Sequence, residues 1–283
     1  MIFASCEKQQ AANGPGAGPA RTPTAERIVV LGVALAETVF DLGRGANVVA
    51  VDASCTTVPE FASLPRVGYY RNFSVEGVLS LEPTLVIASS QSGPPAAMEQ
   101  LRASGVRVVV IDESGGIEAI PEKIRSVARA VGADEGEVER MVRNFLSELG
   151  SIPEVTAPRP EVLFLMSPPG VGNWLAAGQG TMAQQVIEAA GCRNAVQDFE
   201  GYKSLSREAL AVLEPDVVIL PTMSVTRAGG VEKVLDELGF AADIEARGAA
   251  LLEVDMAEFL SAGPRLALNI RRLRERLSAS DAF

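Results

Sequence analysis

Short apolar runs alternate with stretches of helical spacing along most of the chain. Residues 27–31 are an apolar run closed by Gly32, and 35–42 then carry helical spacing up to Gly43. Further apolar runs lie at 47–51, 85–88 and 106–111, with helices predicted over 75–81 and 95–103. Strands that are apolar almost without interruption, alternating with helices, predict a parallel sheet covered on both faces. From Pro121 the period turns helical, and Ile124, Val127, Ala128 and Val131 form one stripe ended by Gly132. Asp134 is placed to cap a second helix, whose stripe is Val138, Met141, Val142, Phe145, Leu146 and Leu149. At about 16 residues that helix spans roughly 24 Å. After Pro153, Pro158 and Pro160 the alternation restarts. Strands are predicted at 162–165, 217–220 and 251–254, and helices at 182–190, 231–238 and 264–277.

An internal repeat organises this pattern. The segment from Ser74 through Glu76, Leu81, Glu82 and Pro83 to Val86 and Ile87 aligns without gaps to Ser206, Glu208, Leu213, Glu214, Pro215, Val218 and Ile219, 132 residues later. Just upstream, Tyr70 and Arg71 fall on Tyr202 and Lys203. One βα unit therefore occurs once in each half. The expected architecture is α/β: two Rossmann-like lobes with parallel sheets, joined by one long helix, with a ligand cleft between them. The boundaries read as a tether or signal remnant at 1–25, an N-terminal lobe at 26–132, a connecting helix and linker at 133–158, and a C-terminal lobe at 159–283.

Composition narrows the function. The net charge of −11 argues against a nucleic-acid partner and against a polybasic membrane patch. The chain holds no histidine, which removes Ser–His, Cys–His and zinc-type hydrolase chemistry. No run of roughly 18 apolar residues, the length of a membrane-crossing helix, is present. Cys6, Cys55 and Cys192 form no CxxC pair, so iron–sulfur and zinc-ribbon readings fail, and Cys55 and Cys192 read as free buried thiols. Cys6 ends the string Ile2-Phe3-Ala4-Ser5 and precedes a Gly/Pro/Ala-rich stretch. It is a lipidation candidate, although the charged n-region and most of the apolar stretch of a signal peptide are missing.

The repeated segment also carries a family resemblance. A Glu-bearing helix, the string Ser80-Leu81-Glu82-Pro83 and a strand resemble the periplasmic binding proteins that serve siderophore, vitamin B12 and haem importers. The resemblance covers residues 26–278 and implies two lobes, a rigid helical linker and an interlobe ligand. Val67-Gly68-Tyr69-Tyr70-Arg71, with Phe73 to Leu81 behind it, is most similar to the haem-binding branch, as is Gly263-Pro264-Arg265. The resemblance implies that Tyr69 ligates haem iron, supported by Arg71. Phenolate is an accepted haem ligand, and a guanidinium favours the anion; Arg71, two residues on along an extended loop, is expected to point to the same side as Tyr69. Tyr70 is the alternative ligand, because the repeat pairs it with Tyr202.

Tyr202 and Lys203 are candidates for a propionate contact, for a second haem, or for a mere echo of the duplication. Arg265 is either a propionate contact or a surface cation. Trp174, on a Gly-rich loop after a strand, is either a porphyrin wall or core. Glu76 and Glu208 begin matching helices, where a carboxylate complements the helix dipole. The resemblance adds docking to the two halves of a permease dimer. The expected protein is a monomer that carries haem and is not an enzyme. It would work in the periplasm or at the outer face of the cytoplasmic membrane, passing haem to an ABC importer permease. A ferric siderophore or vitamin B12 is the alternative cargo. An α/β enzyme has the least support, since neither GxGxxG nor a phosphate loop is present.

Overall fold

The predicted apolar runs form the strands of two sheets. In the first lobe the chain runs through β1 (Ile28–Leu31), α1 (Val33–Asp41), β2 (Val48–Val51), the hairpin β3 (Gly68–Tyr69) and β4 (Asn72–Phe73), α2 (Val75–Leu79), β5 (Leu85–Ser89), α3 (Pro95–Ala103) and β6 (Arg107–Ile111). Helices α4 (Ile120–Val131) and α5 (Glu135–Gly150) follow. The second lobe holds β7 (Glu161–Met166), β8 (Leu175–Ala177), α6 (Met182–Ala189), β9 (Arg193–Asn194), β10 (Tyr202–Ser204), α7 (Arg207–Leu213), β11 (Val217–Pro221), α8 (Thr222–Ala228), α9 (Val231–Leu238), β12 (Ala250–Val254), α10 (Met256–Leu260) and α11 (Leu266–Ser278). This computed structural model describes residues 26–153, 159–168, 173–239 and 248–279. The expected tether with Cys6, part of the linker (154–158) and residues 170–172 ahead of Trp174 lie outside the described residues.

The first sheet has strand order β2-β1-β5-β6 and is parallel throughout, as expected. The second corrects the expectation of a parallel sheet. Its β7, β11 and β12 are parallel, but β8 runs antiparallel to β7, and β10 antiparallel to β8. Strands of three residues such as β8 and β10 are too short to give a periodic signal.

Alternation along the strands sends side chains to three cores. Ile28, Val30, Leu85 and Ile87 of the first sheet, and Val162, Phe164, Val217 and Ile219 of the second, enter one continuous cluster. Helices α1, α4, α5, α6, α10 and α11 complete that cluster, so both sheets share a single helical layer. The opposite faces are private to each lobe. Val29, Leu31, Val86 and Ala88 pack with α2 and α3, while Leu163, Leu165, Val218 and Leu220 pack with α7, α8 and α9. The predicted helical stripes supply the shared layer: Ile124, Val127, Ala128 and Val131 of α4, and Val138, Val142 and Phe145 of α5, are buried. Leu146 is a correction, being 50% exposed. Gly132 ends α4 in the left-handed conformation, and the Asp134 side chain accepts from the Glu137 amide at the start of α5. Cys55 and Cys192 are free and buried, as expected.

The repeat is visible in the backbone. Ser74 and Ser206 cap α2 and α7, accepting from the Gly77 and Ala209 amides. Glu82 and Glu214 both take positive φ, at 47° and 44°, an uncommon conformation for a non-glycine residue. Strands β5 and β11 begin at matching positions.

Polar contacts clasp the lobes behind the sheets. The buried Glu37 carboxylate of α1 accepts from Thr57 (2.7 Å) and from Ser261 at the end of α10 (3.0 Å). One turn on, Asp41 pairs with Arg265 at 2.6 and 3.1 Å. Buried Lys123 of α4 donates to the Ala262 carbonyl (3.0 Å) and pairs with Glu113 (3.7 Å). Burial raises the Glu37 carboxyl above its ordinary 4.5, against hydrogen bonds from Thr57 and Ser261 and the charge of Arg265. A carboxyl whose native pKa exceeds its unfolded one favours the fold at low pH, and that share is lost as pH rises from 4.5 through the native value. Glu37→Gln should therefore match the parent's urea midpoint near about pH 4 and exceed it near about pH 7. A variant less stable than the parent at the higher pH would refute this account of the clasp.

Candidate functional site

In open parallel sheets, ligands sit outside the carboxyl ends of the strands, and one residue organises that edge in the first lobe. Asp52 follows β2 directly and is fully buried. Its Oδ1 accepts from the Gly32 amide (2.9 Å), the Ser54 hydroxyl (3.0 Å) and the Cys55 thiol (3.3 Å). Its Oδ2 accepts from the amides of Ser54 (2.9 Å) and Tyr70 (3.2 Å). The turn after β1, the turn after β2 and the β3–β4 hairpin are thus tied to one carboxylate. Gly68 opens the hairpin at φ +99°, and a Cβ there would lie 3.1 Å from the Asn72 carbonyl oxygen. The Gly-Tyr pair is therefore a backbone requirement as well as a chemical one.

Tyr69 projects from this hairpin and is 47% exposed. Its ring lies 4.6 Å from that of Tyr70, tilted by 55°. Arg71 Nε donates to the Tyr70 hydroxyl at 3.0 Å, and the same guanidinium donates to Gln91 just past β5. Residues 70 and 71 form the tight turn of the hairpin, so strand alternation does not carry Arg71 to the Tyr69 side. Its direct partner is Tyr70. Partial burial and the adjoining Tyr70 hydroxyl push the Tyr69 phenol above its ordinary value, while Arg71 pulls it down. Tyr69 is therefore a neutral phenol at pH 7, and a hard Lewis acid would have to displace its proton. Cys55 is held protonated by burial and by Asp52.

The second lobe meets the first beyond β6. The amide of Ile117, just past β6, donates to Gln185 of α6 at 2.9 Å. Trp174 precedes β8, and the pairing of Leu175 with Met166 sets it at the carboxyl end of β7. Its indole N–H donates to Glu237 of α9 (3.0 Å). Tyr202 is packed against the shared core with its hydroxyl toward Thr181 and Ala183 at the start of α6, and burial raises its pKa. Lys203 is exposed, 5.3 Å above the Phe199 ring. Arg265 is engaged by Asp41 at the far end of α1, about 13 Å of helix below the edge. Glu76 and Glu208 are exposed in the first turns of α2 and α7.

The structure thus gathers Tyr69, Tyr70 and Arg71 and leaves Arg265 elsewhere. Sequence reasoning missed Asp52 and Gln91. An acid immediately after an apolar strand was a readable signal for Asp52; Gln91 gave none. Among the described residues, no group of three or more Cys, Asp or Glu side chains is arranged to hold a metal ion, and no helix is long and apolar enough to cross a membrane.

Residues 28–247 match the family described as periplasmic binding protein. The structure of the periplasmic heme-binding protein BhuT, in complex with two hemes, is 37% identical, covering 90% of this chain and 98% of that one with a TM-score of 0.81. The periplasmic heme-binding protein RhuT from Roseiflexus sp. RS-1, in apo form, is 34% identical, covering 91% of this chain and 99% of that one with a TM-score of 0.84. The ABC transporter substrate-binding lipoprotein YvrC of Bacillus subtilis (strain 168), itself uncharacterized, is 27% identical over 88% of this chain and 79% of its own length. The vitamin B12-binding protein of Pectobacterium carotovorum subsp. carotovorum (strain PC1) is 23% identical, covering 90% of this chain and 89% of its own length.

Asp52→Asn keeps the shape but must turn an N–H₂ toward a backbone N–H on one side or the other. The expected loss of stability is on the order of 3 kcal/mol, read by chemical denaturation, with faster hydrogen exchange at the Tyr70 amide. Unchanged stability and exchange would show that the carboxylate does not organise the edge.

Proposed function

The chain belongs to the periplasmic binding protein family, and on that premise we propose that it captures haem outside the cytoplasm and passes it to an ABC importer. The observation that carries this reading is the half-exposed Tyr69 at the sheet edge, in a chain without histidine. Two haem-binding proteins, at 37% and 34% identity, match over nearly their whole length. The protein is a carrier and not a catalyst.

Haem iron in its ferric state is a hard acid and binds a phenolate oxygen. Tyr69 supplies that oxygen when iron displaces its proton. Arg71 contributes positive charge nearby and fixes the Tyr70 ring against the Tyr69 ring, and Asp52 holds the backbone that presents both. Trp174, packed against the second lobe's private core, and Lys203, exposed above the Phe199 ring, are the second lobe's candidates for contact with the haem. The packing of Tyr202 against the shared core and the ion pair of Arg265 make them weaker candidates for haem contact. A corrinoid is the second reading, favoured by the vitamin B12-binding relatives, but it leaves the Tyr69 group without a task.

Hemin titrated into the apo-protein should give a ferric spectrum of tyrosinate-ligated type and count the haems bound. That spectrum should be lost in Tyr69→Phe and kept in Tyr70→Phe. No Soret change in the parent would sink the haem reading, and a spectrum lost only in Tyr70→Phe would move the ligand by one residue.

Glu76 and Glu208 stand on equivalent faces of the two lobes, which suits a permease with two-fold symmetry. Replacing both with Ala should weaken association with the permease by at least about tenfold while leaving hemin binding intact. Undiminished association would remove these carboxylates from the interface.

A further inference from the structure

The repeat extends past the strands it was read from. The same offset that carries Ser74 onto Ser206 carries β5 onto β11, Gln91 onto Met223 and Ser92 onto Ser224. Gln91 is the residue that reaches the Arg71 guanidinium beside the tyrosine pair. Met223 therefore occupies the mirror position on the opposing lobe, in the first turn of α8, immediately after β11.

Its surroundings are fixed. Ser224 and Val225 are buried. The Ser224 hydroxyl accepts from the Ser167 amide at the end of β7 (3.1 Å), Arg227 donates to the Ser167 carbonyl, and the Thr222 hydroxyl donates to the Val254 carbonyl at the end of β12 (3.3 Å). The backbone that bears Met223 is thus pinned to both strands flanking β11. The side chain nevertheless stays 60% exposed. A large apolar side chain held out from a rigid strand end, where ligands of this sheet type sit, is arranged for contact with something apolar.

We propose that Met223 is the second lobe's packing contact for the porphyrin face turned away from Tyr69. This rests on the haem reading. A ligand held by Tyr69 turns its other face to the second lobe, whose carboxyl edge holds Met223 at its centre and Trp174 at its side. A thioether on an unbranched stem adapts to a flat polarizable ring and makes favourable sulfur–aromatic contacts. The contact is dispersive and leaves the iron to the phenolate.

The test is the rate at which hemin leaves the loaded protein for excess apomyoglobin, compared among the parent, Met223→Ala and Met223→Leu. Because the side chain is exposed, both variants should keep the parent's thermal midpoint. Met223→Ala should release hemin about tenfold faster, and Met223→Leu within about threefold of the parent. The ferric spectrum should be the same in all three. An unchanged rate in Met223→Ala, equal rates in the two variants, or an altered ferric spectrum would each overturn the proposal. A parent that binds no hemin would instead overturn the haem reading itself.

Discussion

The structure depends on one helical layer packed against two sheets. Each sheet gives one face to this common core, and α1, α4, α5, α6, α10 and α11 fill it from behind. Fully burying one aliphatic side chain is worth about 1.5–3 kcal/mol, so prising the sheets apart far enough to expose a few of them would cost more than any hydrogen bond here returns. The Glu37, Asp41 and Lys123 contacts lie on the same side and add direction to an attachment that is chiefly apolar. The common core therefore resists changes in the angle between the two sheets, which limits the entropy lost when a ligand enters between the lobes.

Within that frame the binding edge is built by backbone needs first and side-chain chemistry second. Asp52 gathers donors from three turns, and Gly68 permits the hairpin that presents Tyr69. The tyrosine is then left without a direct counter-charge, since Arg71 is occupied by Tyr70 and Gln91. On the proposed reading, a phenol in this setting would favour a cargo that carries a strong Lewis acid, for which it would exchange its proton.

Much of this was legible in the sequence, where the signals were local and periodic. The apolar runs marked the parallel strands, Gly132 and Asp134 marked the junction of α4 and α5, and the duplicated segment marked equivalent helices. The short strands β8 and β10 were not legible, because their order comes from partners distant in sequence. The clasp was hidden for the same reason: Glu37 and Ser261 are 224 residues apart. At the site, the Tyr69–Arg71 spacing suggested one shared side on an extended loop. A tight turn at residues 70 and 71 instead delivers the guanidinium to the neighbouring ring.

Helices α2 and α7 stand apart from the common layer. Each packs on the private core of its own lobe, outward from the frame that holds the sheets together. They resemble a pair of handles fixed to opposite ends of a stiff yoke. Thermal breathing of such a body gives little access to its middle, whereas a push on both handles together loads the yoke as a couple.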